Sequence, residues 1–152
     1  MSRNSSYFKG ERFNALAKKE GFRSRAAYKL IQIQKDFKLI KSGDNILDLG
    51  SAPGGWSQVA SNILSGSGSI IAIDLLPMKK ITNVDFHQLD LNDIDKINLR
   101  EISIVLSDIA PNISGVNIID DENMIALLEI EISIVCLLYT SPSPRDRGGH
   151  RM

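Results

Sequence analysis

The chain is 152 residues long, 43% apolar, with one cysteine, Cys136, and two histidines, His87 and His150. This is the length of one domain with its own core; it excludes an internal disulfide, suits a reducing cytoplasm and argues against a histidine-built metal centre, so no metal is expected. The net charge of zero conceals +8 over residues 1–41 against −10 over residues 42–141, the footprint of a polyanion-binding arm on an acidic body or, more simply, of a solvated terminal segment.

Residues 1–23 read as irregular or weakly helical. From Ser24, a candidate N-cap, the residues Ala26, Leu30, Ile33 and Phe37 recur at helical spacing, with Arg25 and Lys29 sharing a face. The turn Lys41-Ser42-Gly43-Asp44 leads into a buried strand over residues 45–49. A helix follows the loop Ser51-Ala52-Pro53-Gly54-Gly55 at once. Its apolar stripe is Trp56, Val59, Ala60, Ile63 and Leu64, and Ser65-Gly66-Ser67-Gly68 ends it. A second strand covers residues 69–73 and stops at Asp74. A third, weaker strand covers 84–87 and ends near Asp90. A short helix is expected over 93–99, and a fourth strand over 102–107 stops at Asp108. Residues 123–135 read as a helix despite their β-branched isoleucines. The apolar runs fall short of the roughly 20 residues that span a bilayer, so no transmembrane helix is expected, and no apolar signal region follows Met1. Strands alternating with helices imply an α/β fold, a parallel sheet with helices on both faces.

The loop after the first strand would lie at the carboxyl edge of such a sheet, where open α/β folds bind ligands. Gly50 permits a sharp turn. Gly54 and Gly55 let a ligand approach the backbone at a helix start, where N–H groups are free. The pattern Asp48-x-Gly50-x-x-x-Gly54 is neither the Gly-x-Gly-x-x-Gly of dinucleotide folds nor a phosphate-cradling loop. Asp74 is placed to accept bonds from two ribose hydroxyls and Asp90 from an exocyclic amine, while Asp108 stands close to Pro111 and Asn112. Each alone reads as a turn former or N-cap. Three strand-ending acids around one glycine loop point to a nucleoside ligand. Trp56 reads as core packing by its stripe and as a ligand contact by its place beside the loop.

Four stretches carry a resemblance: Arg23-Ser24-Arg25-Ala26-Ala27-Tyr28-Lys29-Leu30, Asp48-Leu49-Gly50-Ser51-Ala52-Pro53-Gly54-Gly55-Trp56-Ser57-Gln58, Asp74-Leu75-Leu76-Pro77-Met78, and Ser107-Asp108-Ile109-Ala110-Pro111-Asn112-Ile113-Ser114-Gly115. In order and spacing the chain resembles the FtsJ-like ribose 2′-O-methyltransferases that modify large-subunit (23S) ribosomal RNA, over residues 7–135. The resemblance implies the Rossmann-like class I methyltransferase fold, S-adenosylmethionine as cofactor, ribosomal RNA and the large ribosomal subunit as partners, a cytoplasmic location and a monomer. By the same resemblance Gly54 and Trp56 would contact the cofactor, Asp74 hold its ribose hydroxyls and Asp90 face its adenine. Asp108 would lie near its methionine end and the reacting centre. Lys29 matches the first lysine of the family's Lys-Asp-Lys-Glu catalytic set, and Arg23 and Arg25 would grip RNA phosphates.

The chain also departs from that pattern. The family's second catalytic lysine, after a Leu-x-Pro-Gly-Gly turn, and its glutamate have no counterpart, and the later strands of the sheet are missing. After Cys136 the composition shifts to Ser-Pro-Ser-Pro and Arg-Asp-Arg-Gly-Gly, which reads as translated vector or adapter sequence. The expected division is a basic RNA-binding arm and first helix (1–41), the N-terminal part of a methyltransferase domain (42–135) and an unrelated, disordered tail (136–152). Activity is expected to be absent or nearly so, since losing a catalytic base costs about 10²–10⁴-fold. Two other readings stand beside this one. One is a non-catalytic RNA-binding protein that keeps the arm. The other is a nicotinamide-dependent oxidoreductase, which the missing Gly-x-Gly-x-x-Gly opposes.

Overall fold

In a computed structural model, which describes residues 4–99, 101–110 and 115–140 and side chains from Gly10 onward, four short parallel strands hold the centre. They are β1 (Asn45–Leu49), β2 (Ser69–Asp74), β3 (Val84–Gln88) and β4 (Ile104–Ser107), in spatial order β3-β2-β1-β4. The helices are α1 (Asn4–Lys19), α2 (Ala27–Phe37), α3 (Gly55–Leu64) and α4 (Asn117–Thr140), with a short 3₁₀ helix at Leu91–Lys96.

Side-chain alternation along the strands builds a core on each face. Ile46, Ile70 and Leu106 pack with Ala27 and Leu30 of α2 and with Val59, Ala60 and Leu64 of α3. Leu47, Leu49 and Ile73 point the other way, onto Ile94 of the 3₁₀ helix and Ile134 of α4. The sheet is thus covered on both faces, as the continuous apolar runs of β1 and β2 require. The register then positions the site. Leu49 pairs with Ile73 on one side and with Ser107 on the other, and Asp74 pairs with Gln88. Gly50, Asp74 and Asp108 therefore form one row across the carboxyl ends of β1, β2 and β4. Asp90 lies two residues beyond that row, past the end of β3.

The N-terminal segment is more regular than its composition suggests. Residues 4–19 form a helix that closes in a Schellman motif, in which the Phe22 N–H donates to the Ala17 carbonyl and the Gly21 N–H to the Lys18 carbonyl. Gly21 takes the left-handed conformation this closure needs, at φ +82°, and Lys18 and Lys19 sit at the negative end of the helix dipole. Helix α2 begins at Ala27 and not at a Ser24 cap. The preceding turn is built from tight i→i−3 bonds, Ala27 N–H to Ser24 O and Tyr28 N–H to Arg25 O. Ala27 fills the core position expected of Ala26, and Phe37 is 76% exposed.

The C-terminal helix differs most. It spans 24 residues, so residues 136–140 continue α4 where a tail was expected to begin. By length and composition α4 is long and apolar enough to cross a bilayer, which corrects the expectation that no stretch reaches that length. One stripe of it lies on the sheet instead: Ile130, Ile134 and Leu138, four residues apart, join the second core cluster. Glu131 also accepts a bond from the Ser107 hydroxyl at 2.5 Å. Pro111, Asn112 and the Ser-Pro-Ser-Pro stretch lie outside the described residues.

Candidate active site

Five of the six residues singled out from the sequence come together at the carboxyl edge of the sheet, and the sixth, Asp90, lies just beyond it. Lys29, on the first turns of α2, reaches over the end of β4, where its Nζ donates to Asp108 Oδ1 at 2.8 Å. Its side chain is 64% exposed and that of Asp108 33%, so the pair stands open to a large substrate. Asp74 ties two loops together, its Oδ2 accepting from the Ala52 N–H at 2.9 Å and its Oδ1 from the Leu76 N–H at 2.8 Å. Gly50, at φ +67°, makes room for β4's continuation. A Cβ at this position would sit 2.2 Å from Ile109 Cγ1.

Asp90 and Trp56 each adopt the plainer of their two roles, at least in part. Asp90 caps the 3₁₀ helix, its Oδ1 accepting from the backbone N–H and the side-chain amide of Asn92, both at 2.9 Å. Its Oδ2 has no protein partner among the described residues. The Trp56 ring packs against the first core cluster, and its indole N–H donates to the Ala26 carbonyl at 2.8 Å. This leaves its backbone N–H, at the start of α3, as the part that lies beside the loop.

Asp48 sits beneath this row. It is 2% exposed, and its Oδ2 accepts from the Ser57 hydroxyl at 2.6 Å. Burial pushes its carboxyl up from 3.8 to about 7; the hydrogen bonds from Ser57 pull it down, and the charges of Asp74 and Asp108 push it up again. Beside it, the buried Ser51 hydroxyl has no hydrogen-bond partner among the described residues, an orphan of the kind that needs a reason. Sequence reasoning assigned a role to neither residue. An aspartate inside an otherwise apolar strand was a visible signal for Asp48. Nothing local marks Ser51.

The geometry can be set against known proteins. Residues 22–141 match the FtsJ-like methyltransferase family. The chain belongs to that family. Its curated relatives include the ribosomal RNA large subunit methyltransferase E of Coxiella burnetii, 46% identical over 125 residues, covering 75% of this chain and 59% of the relative. The enzyme of the same name from Hahella chejuensis is 39% identical over 127 residues, covering 79% and 62%. A Plasmodium falciparum protein described as a ribosomal RNA methyltransferase has a crystal structure that superposes with a TM-score of 0.62 at 31% identity, over 75% of this chain and 69% of that one. The chain spans about three fifths of the length of the curated relatives it matches. The α/β fold with a parallel sheet is the one this methyltransferase family uses.

Proposed function

We propose that this chain is the cofactor-binding part of an S-adenosylmethionine-dependent enzyme that methylates a ribose 2′-hydroxyl, that of a uridine, in 23S ribosomal RNA of the large subunit in the cytoplasm. The observation that supports this most is the Lys29–Asp108 ion pair, level with Gly50 and sharing one sheet edge with Asp74. The donor set fits a nucleoside cofactor. The buried Ser51 hydroxyl has no partner among the described residues, Gly55 and Trp56 bring backbone N–H groups at the start of α3, and each Asp74 oxygen keeps a lone pair beyond its backbone bond.

S-adenosylmethionine supplies an electrophilic methyl group on a sulfonium. The chain's own residues bind and orient around it. Asp74 would take the ribose hydroxyls, Gly54 and the Trp56 backbone would line the loop side, and Asp90 Oδ2 would take the adenine amine. Asp108 would hold Lys29 over the reacting centre. As an ammonium, Lys29 would donate to the RNA 2′-oxygen and stabilise the negative charge left there as the hydroxyl proton passes to solvent, favouring the alkoxide, the form that attacks. Much of the remaining rate would come from holding the reacting atoms in line. The arm in residues 1–41, with its +8 charge, would hold phosphates without reading sequence. With no counterpart of the family's second lysine and glutamate, the 152-residue chain would transfer little or no methyl by itself.

Calorimetric titration tests this reading. The chain should bind S-adenosylmethionine and not NAD, and Asp74→Ala should weaken binding about 100-fold, the loss of two hydrogen bonds to a charged group. Binding of NAD instead would support the oxidoreductase reading. Salt-dependent RNA binding that survives Asp74→Ala, with no cofactor bound, would support a non-catalytic RNA-binding protein.

A further inference from the structure

The family resemblance gives Arg23 to RNA phosphates, yet its guanidinium is committed elsewhere. Its Nη1 donates to the Pro53 carbonyl at 3.3 Å and to the Lys79 carbonyl at 2.5 Å, and its Nη2 donates to the Lys80 carbonyl at 2.7 Å. These carbonyls belong to two different loops, the glycine loop after β1 and the segment after β2. The backbone of Arg23 is fixed as well: its N–H donates to Gln58 Oε1 at 3.0 Å, and Gln58 Nε2 donates back to the Gly21 carbonyl at 2.9 Å. The shaft takes part too. A side chain at Gly54 would come within 2.8 Å of Ile81 Cδ1, 2.9 Å of Met78 Sδ and 3.1 Å of Arg23 Cδ. Arg23, the glycine loop and residues 78–81 therefore close on one point.

We infer that Arg23 is a positioning residue that clamps the two cofactor loops together and ties them to the base of the basic arm. Asp74 joins the same two loops from inside, through Ala52 and Leu76, and Arg23 joins them from outside, through Pro53, Lys79 and Lys80. The planar fork of an arginine can serve three carbonyls in fixed directions. A lysine carries the same charge without that fork. This separates the clamp from a phosphate contact, for which charge is the main requirement.

The test uses the full chain, Arg23→Ala and Arg23→Lys, with three readouts. Amide hydrogen exchange in residues 52–58 and 77–81 should speed up about tenfold in both variants, since both lose the shared hydrogen bonds. S-adenosylmethionine affinity should fall about tenfold in both. The salt dependence of binding to a short single-stranded RNA should stay as in the unmodified chain. Unchanged exchange in both segments, or recovery of exchange and cofactor affinity by Arg23→Lys, would overturn the clamp. So would a salt slope reduced by about one in Arg23→Ala and restored in Arg23→Lys, the signature of a phosphate contact. Should Arg23→Ala fail to fold, Arg23→Lys decides alone. The cofactor arm rests on the function proposed above: an unmodified chain that binds no S-adenosylmethionine counts against that function, while the exchange data still decide the role of Arg23.

Discussion

Asp48 is the residue whose chemistry departs furthest from its surroundings. Folded, it keeps its proton up to a pH of about 7, whereas its ordinary value is 3.8. Between those values the folded state holds a proton that the unfolded state has released. The contribution of Asp48 to stability therefore falls as pH rises from about 4 to about 7, by up to roughly 4 kcal/mol, and is constant outside that window. Asp48→Asn keeps an acceptor for Ser57 and removes the titration. Urea midpoints from pH 4 to 8 should lose this slope in the variant, and a slope that persists would assign it to other groups. The Lys29–Asp108 pair is the opposite case. It is largely exposed, so screening leaves it about 1 kcal/mol or less. Lys29→Met should barely move the urea midpoint at pH 7, and a loss of several kcal/mol would make the pair a structural element before a chemical one. Asp48 was legible as an acid in an apolar strand. Its partner Ser57 was not, because that contact exists only once α3 has folded back over β1.

At the scale of elements, α2 shows how far a periodic pattern carries. Leu30 and Phe37 stand in the same predicted stripe, yet Leu30 is fully buried and Phe37 is 76% exposed. Leu30→Ala should cost about 2–5 kcal/mol, as a large-to-small change in a packed core does. Phe37→Ala should cost about 0.5 kcal/mol or less, within the range of ordinary surface changes. Equal losses in thermal unfolding would mean that Phe37 is covered in solution. Strands β1 and β2 and helix α3 were legible because their apolar runs and glycine boundaries agree. The end of α1 was also written in the sequence, as Lys18-Lys19-Glu20-Gly21, a basic last turn followed by a glycine. Its body was not, since among residues 10–19, whose side chains are described, only Ala17 is fully buried. The length of α4 was obscured by β-branched residues, whose helix penalty is small beside tertiary packing.

For the molecule as a whole, the convergence of Asp74 and Asp108 on one edge was legible from chain order, because parallel strands all end on the same side. The row they form with Gly50 needed the register. Helix α4 carries much of the exposed apolar surface. Its apolar stripe through Ile130, Ile134 and Leu138 packs into the second core cluster, while Ile118, Ile125, Leu128, Ile132 and Leu137 are exposed. β4 has a described neighbour only in β1. Exposed apolar surface of this extent promotes association. Ile125→Lys together with Ile132→Lys should therefore raise the concentration at which the chain stays monomeric in sedimentation velocity. Both positions are already more than half exposed, so the thermal midpoint of the monomer should be little changed. If solubility rises and the midpoint holds, this face of α4 contributes nothing to the folded unit. If the midpoint drops by several degrees, the face is buried against a neighbour in solution, and association is part of how this chain folds.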